Sequence, residues 1–175
     1  MIERVDNVSD NFYTPSWLVD EIVSFFDGTI DLDPCADPQK RIPASSHYTF
    51  DQDGLGQTWY GNIFCNPPYS KGSFTSIIKW VAKAMATAAL GNGSVLLLLP
   101  VNLDTSWGQL LLEAAASKNT DNRRCEIVFF AGRLRFLDSN YLLPKSSGRF
   151  ASMLVYLGHT RTTFRTQFGK YGACI

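Results

Sequence analysis

The sequence predicts a single α/β domain with a mostly parallel sheet, helices on both faces and a β-rich C-terminal end. Three observations carry that expectation. Helix-like and strand-like stretches alternate along 175 residues, a length that suits one ordinary domain. The run Val95-Leu96-Leu97-Leu98-Leu99 has no polar alternation, so both faces of that strand should be covered, as in the middle of a parallel sheet. A composition of 45% hydrophobic and 18% charged residues is that of a globular chain with one core.

The first helix opens at Thr14-Pro15, a capping residue followed by proline at the first helical position. Leu18, Val19, Ile22, Val23, Phe25 and Phe26 supply its apolar face, and Asp27-Gly28 closes it. A short strand over 29–32 runs into Asp33-Pro34. A polar stretch with a weak helical pattern then leads to a second strand over 46–50, and Asp51-Gln52-Asp53-Gly54 turns the chain. After a third strand over 62–65, Phe74, Ile77, Ile78, Val81 and Met85 recur at helical spacing up to Gly91-Asn92-Gly93. A strand over 94–100, a helix over 106–117 and a strand over 126–130 follow. Segments 134–137 and 151–157 read as strands near a sheet edge. Trp59, Trp80 and Trp107 read as core.

Several function classes drop out. Cys35, Cys65, Cys125 and Cys174 are far apart, and the histidines are His47 and His159, so neither a disulfide framework nor a zinc site fits. No stretch approaches the roughly 20 apolar residues of a membrane span. The first ten residues are polar and acidic, unlike a secretory leader, and the chain reads as soluble and cytoplasmic. The formal net charge of zero hides an asymmetry: residues 1–117 hold six Lys+Arg against thirteen Asp+Glu, and residues 118–175 hold ten against three. Acidic and basic groups kept apart can serve a polyol or cation on one side and a polyanion on the other, though scattered solvated charges would give the same counts.

In open α/β sheets, ligands bind beyond the carboxyl ends of the strands. Three loops there are polar and unusual: Asp33-Pro34-Cys35-Ala36-Asp37, Asp51-Gln52-Asp53-Gly54 and Asn66-Pro67-Pro68-Tyr69. The last is a stiff acceptor platform, because Pro67 and Pro68 fix φ, lack an N–H and leave their carbonyls to accept. Asn66 adds a side-chain carbonyl, and Tyr69 adds a flat ring able to stack on a planar base. An exocyclic amino group is a poor nucleophile, since its lone pair is delocalised into the ring. Two acceptors on its N–H bonds favour a more tetrahedral nitrogen, and they strengthen as positive charge develops.

Asn66-Pro67-Pro68-Tyr69 resembles the motif of the amino-group DNA methyltransferases. Phe12-Tyr13-Thr14-Pro15, Asp31-Leu32-Asp33-Pro34-Cys35-Ala36, Asp53-Gly54-Leu55 and Trp59 are similar to the compact phage-type N6-adenine methyltransferases of the Dam family, over roughly residues 12–107. The resemblance implies a Rossmann-like fold, S-adenosylmethionine as methyl donor and duplex DNA as substrate. It makes Asn66, Pro67, Pro68 and Tyr69 the catalytic group. Asp31 or Asp33, with Pro34, Cys35 and Ala36, would cradle the methionine part of the cofactor. Asp51 and Asp53 would divide its ribose and adenine between them, in either order, and Thr14 and Pro15 would close the pocket. Cys35-Ala36-Asp37 stands where many methyltransferases have a glycine-rich loop. The implied reaction is in-line transfer of the sulfonium methyl to N6 of a flipped adenine, without a metal.

Taken singly, each aspartate also suits a helix cap or an Asx turn. Arg133, Arg135, Lys145 and Arg149, in and beside the polar stretch 138–149, suit DNA phosphates or simply water. A separate target-recognition domain has no room in this length, and a second copy of the chain is a further candidate partner. The rival readings are a cytosine-N4 methyltransferase, a protein-glutamine methyltransferase and a DNA-binding protein without turnover. Protection from restriction, host mimicry and regulation are all compatible purposes.

Overall fold

The computed structural model describes residues 12–69, 76–117, 123–138, 140–145, 148–159 and 163–175. Among them, seven strands form one sheet in the order β2-β1-β3-β4-β6-β5-β7. The strands are β1 (Ile30–Ala36), β2 (Ala44–Thr49), β3 (Gly61–Cys65), β4 (Gly93–Pro100), β5 (Arg123–Phe130), β6 (Ser152–His159) and β7 (Gly172–Cys174). The helices are α1 (Ser16–Phe25), α2 (Ile77–Ala89), α3 (Ser106–Ala116) and α4 (Thr163–Phe168).

The first helix starts one step later than its sequence suggests. Pro15 is the cap, with φ −64° and ψ 142°, and Ser16 is the first helical residue. The Pro15 carbonyl accepts from Leu18 N and Val19 N, and the Thr14 hydroxyl is drawn away to the site described below. Gly28, at φ +94°, ends the helix by donating to the Val23 carbonyl at 2.8 Å, a left-handed position that favours glycine. Leu18 and Ile22 are fully buried, each worth about 1.5–3 kcal/mol of removed apolar surface.

The strands alternate their side chains between two cores. Leu96 and Leu98 of β4 join α1 and α4 through Ile22, Phe25, Phe164 and Phe168. Val95, Leu97 and Leu99 join α2 and α3 through Trp80, Val81, Trp107 and Leu111. Helices therefore cover both faces, and the uninterrupted run in β4 sits mid-sheet as its pattern requires. Trp59, Trp80 and Trp107 are all buried.

The expectation of a mostly parallel sheet is corrected. β2, β1, β3 and β4 pair in parallel, whereas β4–β6, β6–β5 and β5–β7 are antiparallel. The reason lies in β6: its buried run Met153-Leu154-Val155-Tyr156-Leu157 inserts beside β4, so it is an interior strand and not the edge strand expected for 151–157. Segment 134–137 forms no strand. Its apolar residues are buried, Phe136 against Phe12, Tyr69 and Phe150, and its β-type pairing is an isolated bridge between Tyr13 and Leu137. Asp33, Pro34, Cys35 and Ala36, expected as a loop, continue β1; a register irregularity between Asp33 and Ala36 accommodates the proline, which has no N–H to give the ladder. No helix forms between β1 and β2. The expected helical residue Phe74 lies outside the described residues.

Topology decides where loops go. β1 to β4 run in one direction, and β5, antiparallel to β6, runs that way too. The loops after β1, β2, β3 and β4 and the β5–β6 connection therefore share one rim. β1 pairs with β2 on one side and β3 on the other, so the crevice beyond β1 and β3 is the point where the strand order reverses. Among the described residues no helix is long and apolar enough to cross a membrane.

Candidate active site

Asn66 follows β3 directly, at the reversal point. Its Nδ2 donates to the Phe12 carbonyl at 2.7 Å and to Thr14 Oγ1 at 3.1 Å. Tyr69 Oη lies 2.7 Å from Asn66 Oδ1 and 2.9 Å from the Leu98 carbonyl. One phenolic proton serves both acceptors. Burial pushes the Tyr69 phenol well above its ordinary value, so it stays a neutral donor. The sequence leads one to expect a free Asn66 carbonyl. Here a half-buried amide is satisfied at both ends by the chain itself, as enclosed polar groups require.

The Tyr69 ring stacks on Phe12, with centroids 5.7 Å apart and planes at 27°, and meets Phe150 edge-on at 5.4 Å. Phe136 closes this cluster from the β5–β6 connection. Beside it opens a cavity of about 390 Å³, lined by Phe12, Tyr69, Ile77, Pro100, Asn102, Arg149 and Phe150. That size and mostly apolar lining suit a planar ring with a few polar groups to orient it.

Pro34 and Ala36 are buried at the end of β1, and Cys35 lies 3.5 Å from Cys65 between sulfur atoms. Burial pushes both thiols up, which keeps them neutral and unreactive. Asp33 is only 4% exposed and accepts from Cys35 N at 3.1 Å. Burial drives its carboxyl up to about 7; the Cys35 N–H opposes the shift and the Asp37 charge adds to it. Gly54 fixes the next loop against this one, since a Cβ there would lie 1.8 Å from the Pro34 carbonyl. Trp59 Nε1 donates to Gly54 O at 2.8 Å and pins the same turn. Asp51 lies in a short 3-10 turn after β2, and Asp53 follows it at φ +48°; both are exposed on the rim.

One predicted residue is elsewhere. Asp31 lies near the start of β1, and its Oδ2 accepts from Asn62 N at 2.6 Å, at the end of the sheet away from Asn66. It clasps β1 to β3, and Gly61 leaves it room. The basic residues do reach the rim. Arg149 lines the cavity with its guanidinium 5.9 Å from the Phe12 ring, Arg133 donates to the Gly148 and Arg149 carbonyls, and Arg135 donates to the Pro144 carbonyl. Lys145 is exposed beside them.

Phe12 belongs to the stretch Phe12-Tyr13-Thr14-Pro15 that carries the resemblance but was given no role, and Asn102, Phe136 and Phe150 were not singled out from the sequence. Asn102 could have been, because it begins the loop after a fourth parallel strand, and the rule that selected the other three loops selects this one. Phe136 and Phe150 carry no such signal, since apolar residues in irregular segments look like ordinary core.

A fold with strand-end loops of this kind, closed over an Asn-Pro-Pro-Tyr turn, can be compared with known proteins. The chain belongs to the DNA N-6-adenine-methyltransferase (Dam) family, whose model matches residues 3–170. Among individual proteins it is similar to the DNA N-6-adenine-methyltransferase of Haemophilus phage HP1 (strain HP1c1), with 30% identity over 107 residues. That match takes in 61% of this chain and 58% of the phage protein, so the chain spans less than two thirds of the curated relative's length.

Proposed function

We propose that this chain transfers a methyl group from S-adenosylmethionine to N6 of an adenine turned out of duplex DNA. The observation that carries the reading is that Tyr69, hydrogen-bonded to Asn66 Oδ1, lines an open cavity with Phe12, Asn102 and Arg149, in a member of the Dam family.

The donor set fits the cofactor. S-adenosylmethionine presents an ammonium, ribose hydroxyls and an adenine amino group, all hydrogen-bond donors, and the rim offers carboxylate acceptors. Asp33, with Pro34, Cys35 and Ala36, would hold the methionine part, where an arriving cation restores ionisation of a buried acid. Asp51 and Asp53 would take the ribose and adenine groups, and Thr14 and Pro15 would wall the pocket. Asp31 is left to its structural clasp. The parallel strands β2, β1, β3 and β4 support a Rossmann-like cofactor half.

When bound, the cofactor supplies an electrophilic methyl on a sulfonium. The protein's part is acceptance and alignment. The target amino group displaces the Tyr69 hydroxyl from Asn66 Oδ1 and gives its second N–H to the Pro67 carbonyl, which frees the nitrogen lone pair. The Tyr69 ring then stacks on the base. Such alignment is worth about 7–11 kcal/mol in well-oriented reactions, so positioning carries most of the rate. Duplex DNA in the cytoplasm of a bacterial or phage-infected cell is the substrate this reading requires.

The test is transfer of labelled methyl from S-adenosylmethionine to unmethylated duplex DNA, with nucleoside analysis and a protein-only control. Label in N6-methyladenine is the expected result. Label in N4-methylcytosine would move the acceptor while keeping the platform. Label in protein alone, or in nothing despite cofactor binding, would overturn the reading.

A further inference from the structure

The connection between β5 and β6 leaves the site at Phe136 and returns to it at Arg149 and Phe150, both in the cavity wall. Between them it presents Leu142 and Leu143, 62% and 56% exposed. Single exposed leucines need no explanation, but two adjacent ones on a braced tip do.

Among the described residues 140–145 the tip is braced locally. Asp138 Oδ1 accepts from Asn140 N at 2.9 Å and from Leu142 N at 3.0 Å, while Asp138 N donates to the Leu142 carbonyl at 2.9 Å. Tyr141, at φ +59°, turns its ring inward, 6.1 Å from Tyr13 and 5.0 Å from the Arg41 guanidinium. On the far side the Pro144 carbonyl is held by Arg135. The tip is therefore stiff before it meets anything, so little freedom remains to be lost on contact.

Charge selects the partner. Arg135, held to the Pro144 carbonyl, and Lys145 flank the leucines, and Arg133 and Arg149 lie where the connection returns to the cavity, whereas Asp138, the acid of the loop, is turned into its own backbone. Phe50 is as exposed, at 71%, yet it sits beside Asp51 and Asp53, where a phosphate would be repelled. Among the described residues, the tip sets two adjacent exposed leucines beside the exposed cations Arg135 and Lys145.

We propose that Leu142 and Leu143 form a wedge that enters the DNA base stack beside the target and holds it open while the extruded base occupies the cavity next to Tyr69. The assignment rests on the methyltransferase reading above. Apolar side chains inserted between base steps stabilise an unstacked duplex, and extruding a paired base otherwise carries a penalty large enough to limit turnover.

The test uses the full chain and two short duplexes carrying the sequence that the wild type methylates, one fully paired and one with an abasic site opposite the target adenine. With Leu142→Ala and Leu143→Ala combined, kcat/KM on the paired duplex should fall about ten- to a hundredfold. On the abasic duplex it should change less than about threefold, because no pair remains to be broken. Leu142→Met with Leu143→Met should restore most of the paired-duplex rate, and Leu90→Ala, an exposed change elsewhere, should alter neither. Equal losses on both duplexes, or no loss on the paired one, would overturn the wedge while leaving the methyltransferase reading intact. A wild type that binds cofactor yet methylates no duplex DNA, so that no such sequence can be found, would overturn both.

Discussion

In the parallel half of the sheet, β1, β2, β3 and β4 all end at the same rim, and each contributes a short loop there. In the antiparallel half the turn into β7 and the β5–β6 connection reach that rim, and the connection folds back over Phe12 and Tyr69 through Phe136 and Phe150. The parallel half thus collects acids and acceptors whose places are fixed by strand ends, and the antiparallel half supplies one cationic and aromatic cover. The difference teaches that strand direction fixes where the acids and acceptors gather, whereas the cationic cover comes from a loop free of that constraint. The charge asymmetry along the chain follows the same division.

The largest effect should come from the acceptor platform. Asn66→Ala is expected to lower kcat by at least about 10²- to 10³-fold, the cost of removing one preorganised group, with cofactor affinity held within about threefold in equilibrium titration. Equal loss of both would make Asn66 a structural link between β3 and the segment before α1, and the division between the halves would blur. Next, Tyr69→Ala should reduce kcat/KM about ten- to a hundredfold through lost base stacking, worth roughly 1–3 kcal/mol. Tyr69→Phe should stay within a few-fold of wild type, since it keeps the ring and removes the hydroxyl that competes for Asn66 Oδ1.

A pH test sharpens the role of the parallel rim. Because the folded-state value of Asp33 is raised to about 7, its contribution to stability is complete below its unfolded value near 4 and is lost as pH rises through about 7. Asp33→Asn should therefore match wild type in urea unfolding at acid pH and exceed it at pH 8 by an amount on the order of 2 to 4 kcal/mol. Cofactor affinity of the wild type should climb with pH through the same range, and that of Asp33→Asn should be weaker and flat. The smallest effect belongs to the antiparallel half. Lys145→Ala should reduce the slope of log affinity for DNA against log salt by about one, with kcat at saturating DNA unchanged.

Much of the positioning was legible in the sequence. The uninterrupted run 95–99 located the sheet centre, and the strand-end rule gathered the turns carrying Asp51, Asp53 and Asn66, with Asp33 still inside β1. The same run pattern at 153–157 also marks an interior strand; its place late in the chain suggested an edge, and local pattern says nothing about which distant strand a segment joins. β7 spans three residues and α4 six, too short for periodicity to register. Asp31 and Asp33 look alike in sequence, and only the direction of β1 separates a clasp at one end from an acid at the other. The Tyr69–Asn66 hydrogen bond was hidden for a different reason. A motif names groups that can meet a ligand, not what those groups hold among themselves.

Asn66 is anchored by Phe12 and Thr14, more than fifty positions earlier in the chain. The same leading segment exchanges two backbone hydrogen bonds with Leu137, at the root of the basic loop. Three pieces distant in sequence therefore share one local opening equilibrium. In amide exchange, the Leu137 N–H and the Tyr13 N–H should lose protection together. Anything that peels the leading segment from the sheet, a protease cut or a competing partner, would release the Asn66 turn and the basic loop at a single stroke while both cores stay closed.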